Sequence, residues 1–257
     1  MAVLKTNFRA LFLLAVALGS APAFAADWQE YQARYAVYRN GKLAGKTEFT
    51  FEQAGEQWII RSEGRGTHGM ARLLRARDLE FTEGRIRDGR FWPDSFSRHS
   101  TVAGIDKRWT ASFDWDSRSV QTVAGRERRQ LDLGADGALD GLSLKLELQR
   151  RLRAGENDLV FHLVDDDEIK HQEFRRQEPE RLETSLGCLD TIPVERLRTG
   201  SKRYTRAWHA PEFGFVTVRM EHGKTGGDHM EMRITELVLN GQAVAPKAGC
   251  AALQGSP

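Results

Sequence analysis

Asp140-Gly-Leu-Ser-Leu-Lys-Leu-Glu-Leu-Gln-Arg-Arg-Leu-Arg-Ala-Gly155 is the stretch on which the fold turns. Leu142, Leu144, Leu146 and Leu148 alternate with Ser143, Lys145 and Glu147, which in isolation is the period-two pattern of a strand. Three features favour a helix over about 140–153. Leu, Lys, Glu, Gln and Arg are good helix formers, and no β-branched residue occurs from Asp140 to Gly155. Leu148 and Leu152 continue at i,i+4, where a strand alternation would break. Asp140 suits the N-cap, Arg150, Arg151 and Arg153 suit the negative C-terminal end, and Gly155 suits the stop. On a helical wheel Leu142 and Leu146 fall near Leu139, whereas Leu144, Leu148 and Leu152 fall on another side. A helix apolar on two sides has to be covered on two sides.

What flanks this segment reads as strands and turns, in two blocks of about 28–134 and 156–240. Tyr31, Ala33, Tyr35 and Val37 alternate with polar or small residues, Asn40-Gly41 supplies a tight turn, and Thr47, Phe49 and Phe51 return. Glu63-Gly-Arg-Gly-Thr-His-Gly-Met70 breaks the alternation and implies an irregular loop. Its glycine spacing matches no phosphate-binding pattern, and Met70 to Arg75 reads as one or two helical turns. Pro93 suggests a strand edge or bulge. Trp109, Ala111, Phe113 and Trp115 put an aromatic face on one strand. The second block ends in a hairpin, Phe215–Glu221 against Met230–Leu239. The expected fold is mainly β: a curved antiparallel sheet, open barrel or sandwich, with one central helix packed against it. The domain occupies 26–240, and 241–257 form a C-terminal tail.

The chain opens with Lys5 and Arg9, an apolar run from Ala10 to Leu18, and Ala23-Phe24-Ala25. That pattern is a secretory signal peptide over 1–25, cleaved after Ala25, and it implies the periplasm. The run is too short to span a bilayer, which needs about 20 apolar residues. No membrane span is expected in the mature chain. The whole sequence has 38 Lys plus Arg and 36 Asp plus Glu. Loss of Lys5 and Arg9 brings the mature chain to formal neutrality, which lacks the positive footprint of a nucleic-acid binder. About 230 residues remain, enough to bury a core unaided. Two cysteines, Cys188 and Cys250, are most simply a disulfide in an oxidising compartment, worth about 4 kcal/mol by loop closure. Their spacing excludes a CxxC redox role.

No catalytic motif emerges. The seven histidines form no tight metal-ligand spacing, and no nucleophile elbow is present. His162 and His171 face each other across the turn of acids Asp165–Glu168, and His222 and His229 flank another turn, but solvated turns explain both. No catalytic residue, metal or cofactor is expected. The aromatics that would line a cavity under a curved sheet are Trp109, Trp115, Trp208 and Phe215.

In order, Tyr35-Ala-Val-Tyr-Arg-Asn-Gly-Lys-Leu-Ala-Gly45, Gly69-Met-Ala-Arg-Leu-Leu-Arg75, Leu139-Asp-Gly-Leu-Ser-Leu144 and Trp208-His-Ala-Pro-Glu-Phe-Gly-Phe-Val-Thr-Val-Arg219 resemble the exported bacterial family called domain of unknown function 3108. The resemblance spans most of the mature chain and implies an exported, mostly antiparallel β protein with no established activity. The expectation is a soluble periplasmic protein, more non-enzymatic than enzymatic, that binds an apolar, lipid-like ligand or a partner protein in cell-envelope maintenance. The alternatives are a hydrolase of an envelope polymer or ester, and an interaction module that uses a sheet edge.

Overall fold

The computed structural model describes residues 28–253; the expected signal peptide, with cleavage expected after Ala25, lies outside the described residues. The first block supplies β1 (Tyr31–Arg39), β2 (Lys42–Ala54), β3 (Gln57–Gly66), the short helix α1 (Gly69–Leu73), β4 (Arg77–Arg87), β5 (Arg90–Val102), β6 (Ile105–Asp114), β7 (Ser119–Ala124) and β8 (Glu127–Asp132). Helix α2 (Gly141–Arg153) follows. The second block supplies β9 (Asp158–Asp165), β10 (Glu168–Arg176), β11 (Glu180–Thr184), β12 (Gly187–Leu197), β13 (Arg203–Ala210), β14 (Val216–Lys224), β15 (His229–Leu239) and β16 (Gln242–Ala243), and helix α3 (Cys250–Leu253) ends the described chain.

The strands form one antiparallel sheet in the order β8-β7-β6-β5-β4-β3-β2-β1-β15-β14-β13-β12-β10-β9, with β11 beside β12 and β16 beside β15. The two blocks are therefore halves of one sheet, joined where β1 pairs with β15 from Tyr31↔Leu239 to Arg39↔Met230. The sheet curls without closing: β8 and β9 are its edges. The chain leading into α2 fills part of that seam. Leu139 donates its N–H to His162 O at 2.9 Å and accepts from Val164 N at 2.8 Å, which adds a bridge along β9. Asn40 and Gly41 both have positive φ, at 50° and 74°, the backbone that a two-residue hairpin turn demands. Pro93 faces Gly84 beside a register shift in the β4–β5 ladder, and β6 pairs with β5 only from Ser95 onward, so the missing N–H breaks no ladder.

Helix α2 packs on the concave side, against β3, β4, β5 and β9. Its leucines divide as the wheel requires. Leu142 and Leu146 join the main core with Phe49, Trp58, Phe91 and Phe96. Leu144, Leu148 and Leu152 join Leu159, Phe161, Ile192 and Val194 in a second cluster. Each such leucine contributes about 2 kcal/mol of burial. Leu139 differs from the wheel reading: it packs on the second cluster, because it lies in extended backbone ahead of the cap and pairs with β9.

The cap ties helix to sheet. The fully buried Asp140 carboxylate accepts from Leu142 N at 2.8 Å, Ser143 N at 3.2 Å and Ser143 Oγ at 2.6 Å. It also accepts from Thr82 Oγ1 of β4 at 2.8 Å, and Ser143 Oγ in return accepts from Asp140 N at 3.0 Å. Elsewhere, Cys188 and Cys250 form the expected disulfide. It anchors a terminal segment that also bonds through Lys247 N to Leu186 O and Cys188 N to Ala248 O. Among the described residues no helix is long and apolar enough to cross a membrane.

Replacing Asp140 removes a cap and strands both the helix N–H groups and the Thr82 hydroxyl in a dry site. Asp140→Ala is expected to lower unfolding stability by about 3 kcal/mol in urea titration, whereas Glu178→Ala in the exposed loop before β11 should change it by less than about 0.5 kcal/mol.

Candidate functional site

The inward positions of the strands change character along the barrel. Deep in the sheet they carry bulk: Tyr31 and Tyr35 on β1, Phe49 and Phe51 on β2, Trp58 and Ile60 on β3. Toward the end where α1 sits, the same alternation carries Val37, then Thr47 and Gly45, then Gly64 and Gly66. Along β4 the matching positions are Thr82, Glu80 and Asp78. Thr82 touches the cap of α2, so the helix stops there and fills nothing beyond it. The result is a pocket of about 370 Å³ at the open end, in the size range of small-ligand sites. Its walls include Val37, Thr47, Gly64, Ala71, Ala76, Val102 and Met230.

Helix α1 forms one wall, and the backbone explains how it is held. Thr67 N and His68 N both donate to Ala44 O, at 3.0 and 3.1 Å, and Ala103 N donates to Leu74 O at 2.7 Å. A Cβ on Gly66 would collide with the Ala71 backbone, so only glycine lets α1 lie this close to β3. No side chain of α1 is buried.

The floor is charged. Arg98 of β5 grips Asp78 through two bonds of 3.0 and 3.1 Å, and its Nε lies 3.5 Å from Glu80. Burial pushes the Glu80 carboxyl above its ordinary value, with Arg98 opposing. Burial also pulls the Lys145 ammonium of α2 down, with the Glu80 charge opposing, and its Nζ stands 4.9 Å from the centre of the Phe49 ring. Of these groups Asp78 and Arg98 line the pocket, as do Arg39, Lys46, Arg65 and Arg77; Glu80 and Lys145 lie behind them.

The four aromatics singled out from sequence are not brought together. Trp115 lines a separate cleft of about 290 Å³ in the seam, with Trp92, Arg90, Glu147, Arg151 and His162. Its ring meets Trp92 edge-on at 4.4 Å and its Nε1–H donates to Pro93 O at 2.7 Å. Trp109 is half-buried, 4.4 Å from Phe96, and donates to Asp166 O at 3.4 Å. Trp208 is buried, donates to a Glu180 carboxylate oxygen and lies between the guanidiniums of Arg206 and Arg219, at 4.7 and 4.9 Å. Phe215, with φ at 65°, packs on the second cluster beside α2. None of the four lines the open-end pocket. The residues that do line it carried one signal in the sequence: the glycine-rich break at 63–70.

In the seam cleft Glu147 is almost fully buried, and it is occupied. Its carboxylate accepts from Arg150 at 2.9 and 2.8 Å and from Phe91 N at 3.4 Å, with Arg90 and Arg151 at 3.8 and 3.5 Å. A carboxylate so engaged is a structural counter-ion for three arginines. His162 and His171 do pair across the β9–β10 hairpin, with rings 5.4 Å apart. His222 bonds Thr205 and His229 bonds Tyr204. Among the described residues no group of three metal-ligating side chains comes together.

A solved structure shares this architecture. A β-barrel-like protein of domain of unknown function 1849 from Brucella abortus superposes with a TM-score of 0.53 over 82% of this chain and 98% of its own, at 11% identity. The two share a fold. A protein described as exported, with YmcC-like fold, from Bacteroides fragilis gives 0.32 over 84% of this chain and 98% of its own, at 11% identity. One described as a lipoprotein, from Parabacteroides distasonis, gives 0.29 over 82% and 96%, at 9%. No protein-family model and no curated protein matches the sequence.

Burial holds the His209 imidazole down to about 4, with the Phe215 carbonyl opposing and Lys145 adding to the depression. The unfolded chain therefore takes up this proton first, between about pH 6.5 and 4, and stability falls as pH falls through that window. Between pH 7 and 5 the loss from this group is about 2 kcal/mol. Glu80 and Asp140, both raised by burial, act in the opposite direction on acidification. The difference in urea-unfolding stability between pH 7 and 5 should therefore shrink in His209→Gln relative to wild type.

Proposed function

We propose that the chain is an exported, periplasmic, non-enzymatic protein that holds an apolar, lipid-like chain in the open end of the barrel, in the service of the cell envelope. The supporting observation is the pocket at that end, walled by aliphatic and glycine surface where the neighbouring layers are packed with aromatics. Its volume of about 370 Å³ suits one acyl-like chain or a comparable small apolar group. Lys46 and Arg77, which also line it, offer cations to a polar head. Export rests on the N-terminal signal pattern and on the resemblance to domain of unknown function 3108.

The edge-strand alternative finds less support. The free edge β8 is six residues long and reads Glu-Arg-Arg-Gln-Leu-Asp, short and charged in the way that discourages strand addition. The hydrolase alternative has His162 and Asp136 as free acid–base groups in the seam cleft, but the buried carboxylate there, Glu147, is tied to arginine and among the described residues no serine, threonine or cysteine lines the cleft.

Gly64 faces the pocket with ordinary contact distances to Asp78 and Thr47, so a large side chain there fills the space without displacing backbone. Titration with a fluorescent fatty-acid analogue is expected to give saturable binding to the wild type. Gly64→Phe should weaken it at least about tenfold with little change in melting temperature. Equal affinity in the two proteins would sink the proposal.

A further inference from the structure

The open end carries a second feature that the pocket does not require. Met70 and Leu73 of α1 are 63% and 72% exposed, and Ile105 in the adjoining β5–β6 hairpin is 65% exposed. Leu43, Val102 and Met230 at the same end are also exposed. Strand register puts four of them at the rim that α1 covers: Leu43 is second in β2, Val102 pairs with Ile105, and Met230 pairs with Arg39 at the end of β1. Exposed large apolar side chains concentrated on one rim mark a contact surface. The charges around them are mostly basic: Asp106 beside Ile105 is bound by Thr101 and His99, and Asp228 near Met230 is held by Arg39. From Gly64 to Arg77 the chain has four arginines and no acid. Among the described residues Arg65 pairs weakly with Glu63 at 3.5 Å, while Arg72, Arg75 and Arg77 are exposed and make no ion pair. Lys42, Lys46, Lys107 and Arg108 are exposed nearby on β2 and β6. The acids of the turn Asp165–Glu168 lie at this end too, but on the seam side, where Lys170 holds Asp165 at 2.5 Å and Glu168 at 3.0 Å. The α1 side is thus apolar at its tip and basic around it.

We propose that this rim docks the protein onto an anionic lipid surface, with Met70 and Leu73 entering the headgroup region and the α1 arginines bound to lipid phosphates. Apolar tips ringed by unneutralised guanidiniums are what an anionic bilayer interface complements, whereas an apolar protein groove would leave those charges unmatched. The docking rests on the rim alone and holds whether or not the pocket carries a ligand.

Sedimentation with vesicles of phosphatidylglycerol and phosphatidylcholine tests it. The wild type is expected to bind these vesicles at low salt, to bind pure phosphatidylcholine vesicles weakly, and to be released by 0.5 M NaCl, where the Debye length falls to about 4 Å. Met70→Ser with Leu73→Ser, and separately Arg72→Glu with Arg75→Glu, should each reduce binding about tenfold or more. All four side chains are solvent-exposed, so unchanged melting temperatures should accompany the loss. Arg118→Glu, at the opposite end of the barrel, should bind as wild type. Gly64→Phe should also dock normally, which separates this proposal from the ligand pocket. Absence of wild-type binding at low salt, or full binding by either double variant, would overturn it. So would a concentration-dependent dimer abolished by Leu73→Ser, which would show that a second copy covers the rim.

Discussion

A helix whose leucines point two ways needs a wall on each side, and that need shapes this molecule. Leu142 and Leu146 of α2 take the main core, while Leu144, Leu148 and Leu152 take the β9–β12 side. One flat sheet covers one face only, so the sheet has to curl until both of its arms reach the helix. The pairing of β1 with β15 supplies the continuity, and the seam between β8 and β9 is left to the chain entering α2. Glu147 completes the arrangement from the helix side, because its buried carboxylate draws Arg90 of β5 and Arg150 and Arg151 of α2 to one point of the seam.

The position of the helix along the barrel follows from Asp140. Its carboxylate caps α2 and binds Thr82, which fixes the level at which the helix begins. Beyond that level no element among the described residues fills the interior, and β1, β2 and β3 offer glycine, threonine and valine there in place of aromatic rings. The pocket is thus the space left by a capped helix and by small residues at three strand ends. The ionisable groups beneath it sit where water is scarce: burial moves Glu80 up and Lys145 down, each toward its neutral form, while Arg98 stays paired.

Much of this was legible in the sequence, and the parts that were not share a cause. The helix, the Asn40-Gly41 hairpin and the Cys188–Cys250 bridge rest on local composition, spacing or parity, and those signals survive folding intact. The union of the two strand blocks rests on contacts such as Tyr31 with Leu239, which no local pattern encodes. The pocket was hidden for the same reason. Gly45, Gly64 and Met230 belong to three strands, and only register sets them around one space. Aromatic residues misdirect here: Trp208 and Phe215 have the chemistry of ligand platforms, yet their surfaces are taken by Arg206, Arg219 and the second leucine cluster. In this barrel the emptiness is written in glycines, and a glycine in a sequence reads first as a turn.

Native mass spectrometry of the protein expressed with its N-terminal segment and purified without detergent is the most direct measurement of whether the open end holds an apolar chain. The account predicts a wild-type population carrying a lipid-mass adduct that is lost on denaturation and absent from Gly64→Phe. A wild type that flies only at its apo mass, or an adduct retained in Gly64→Phe, would contradict it.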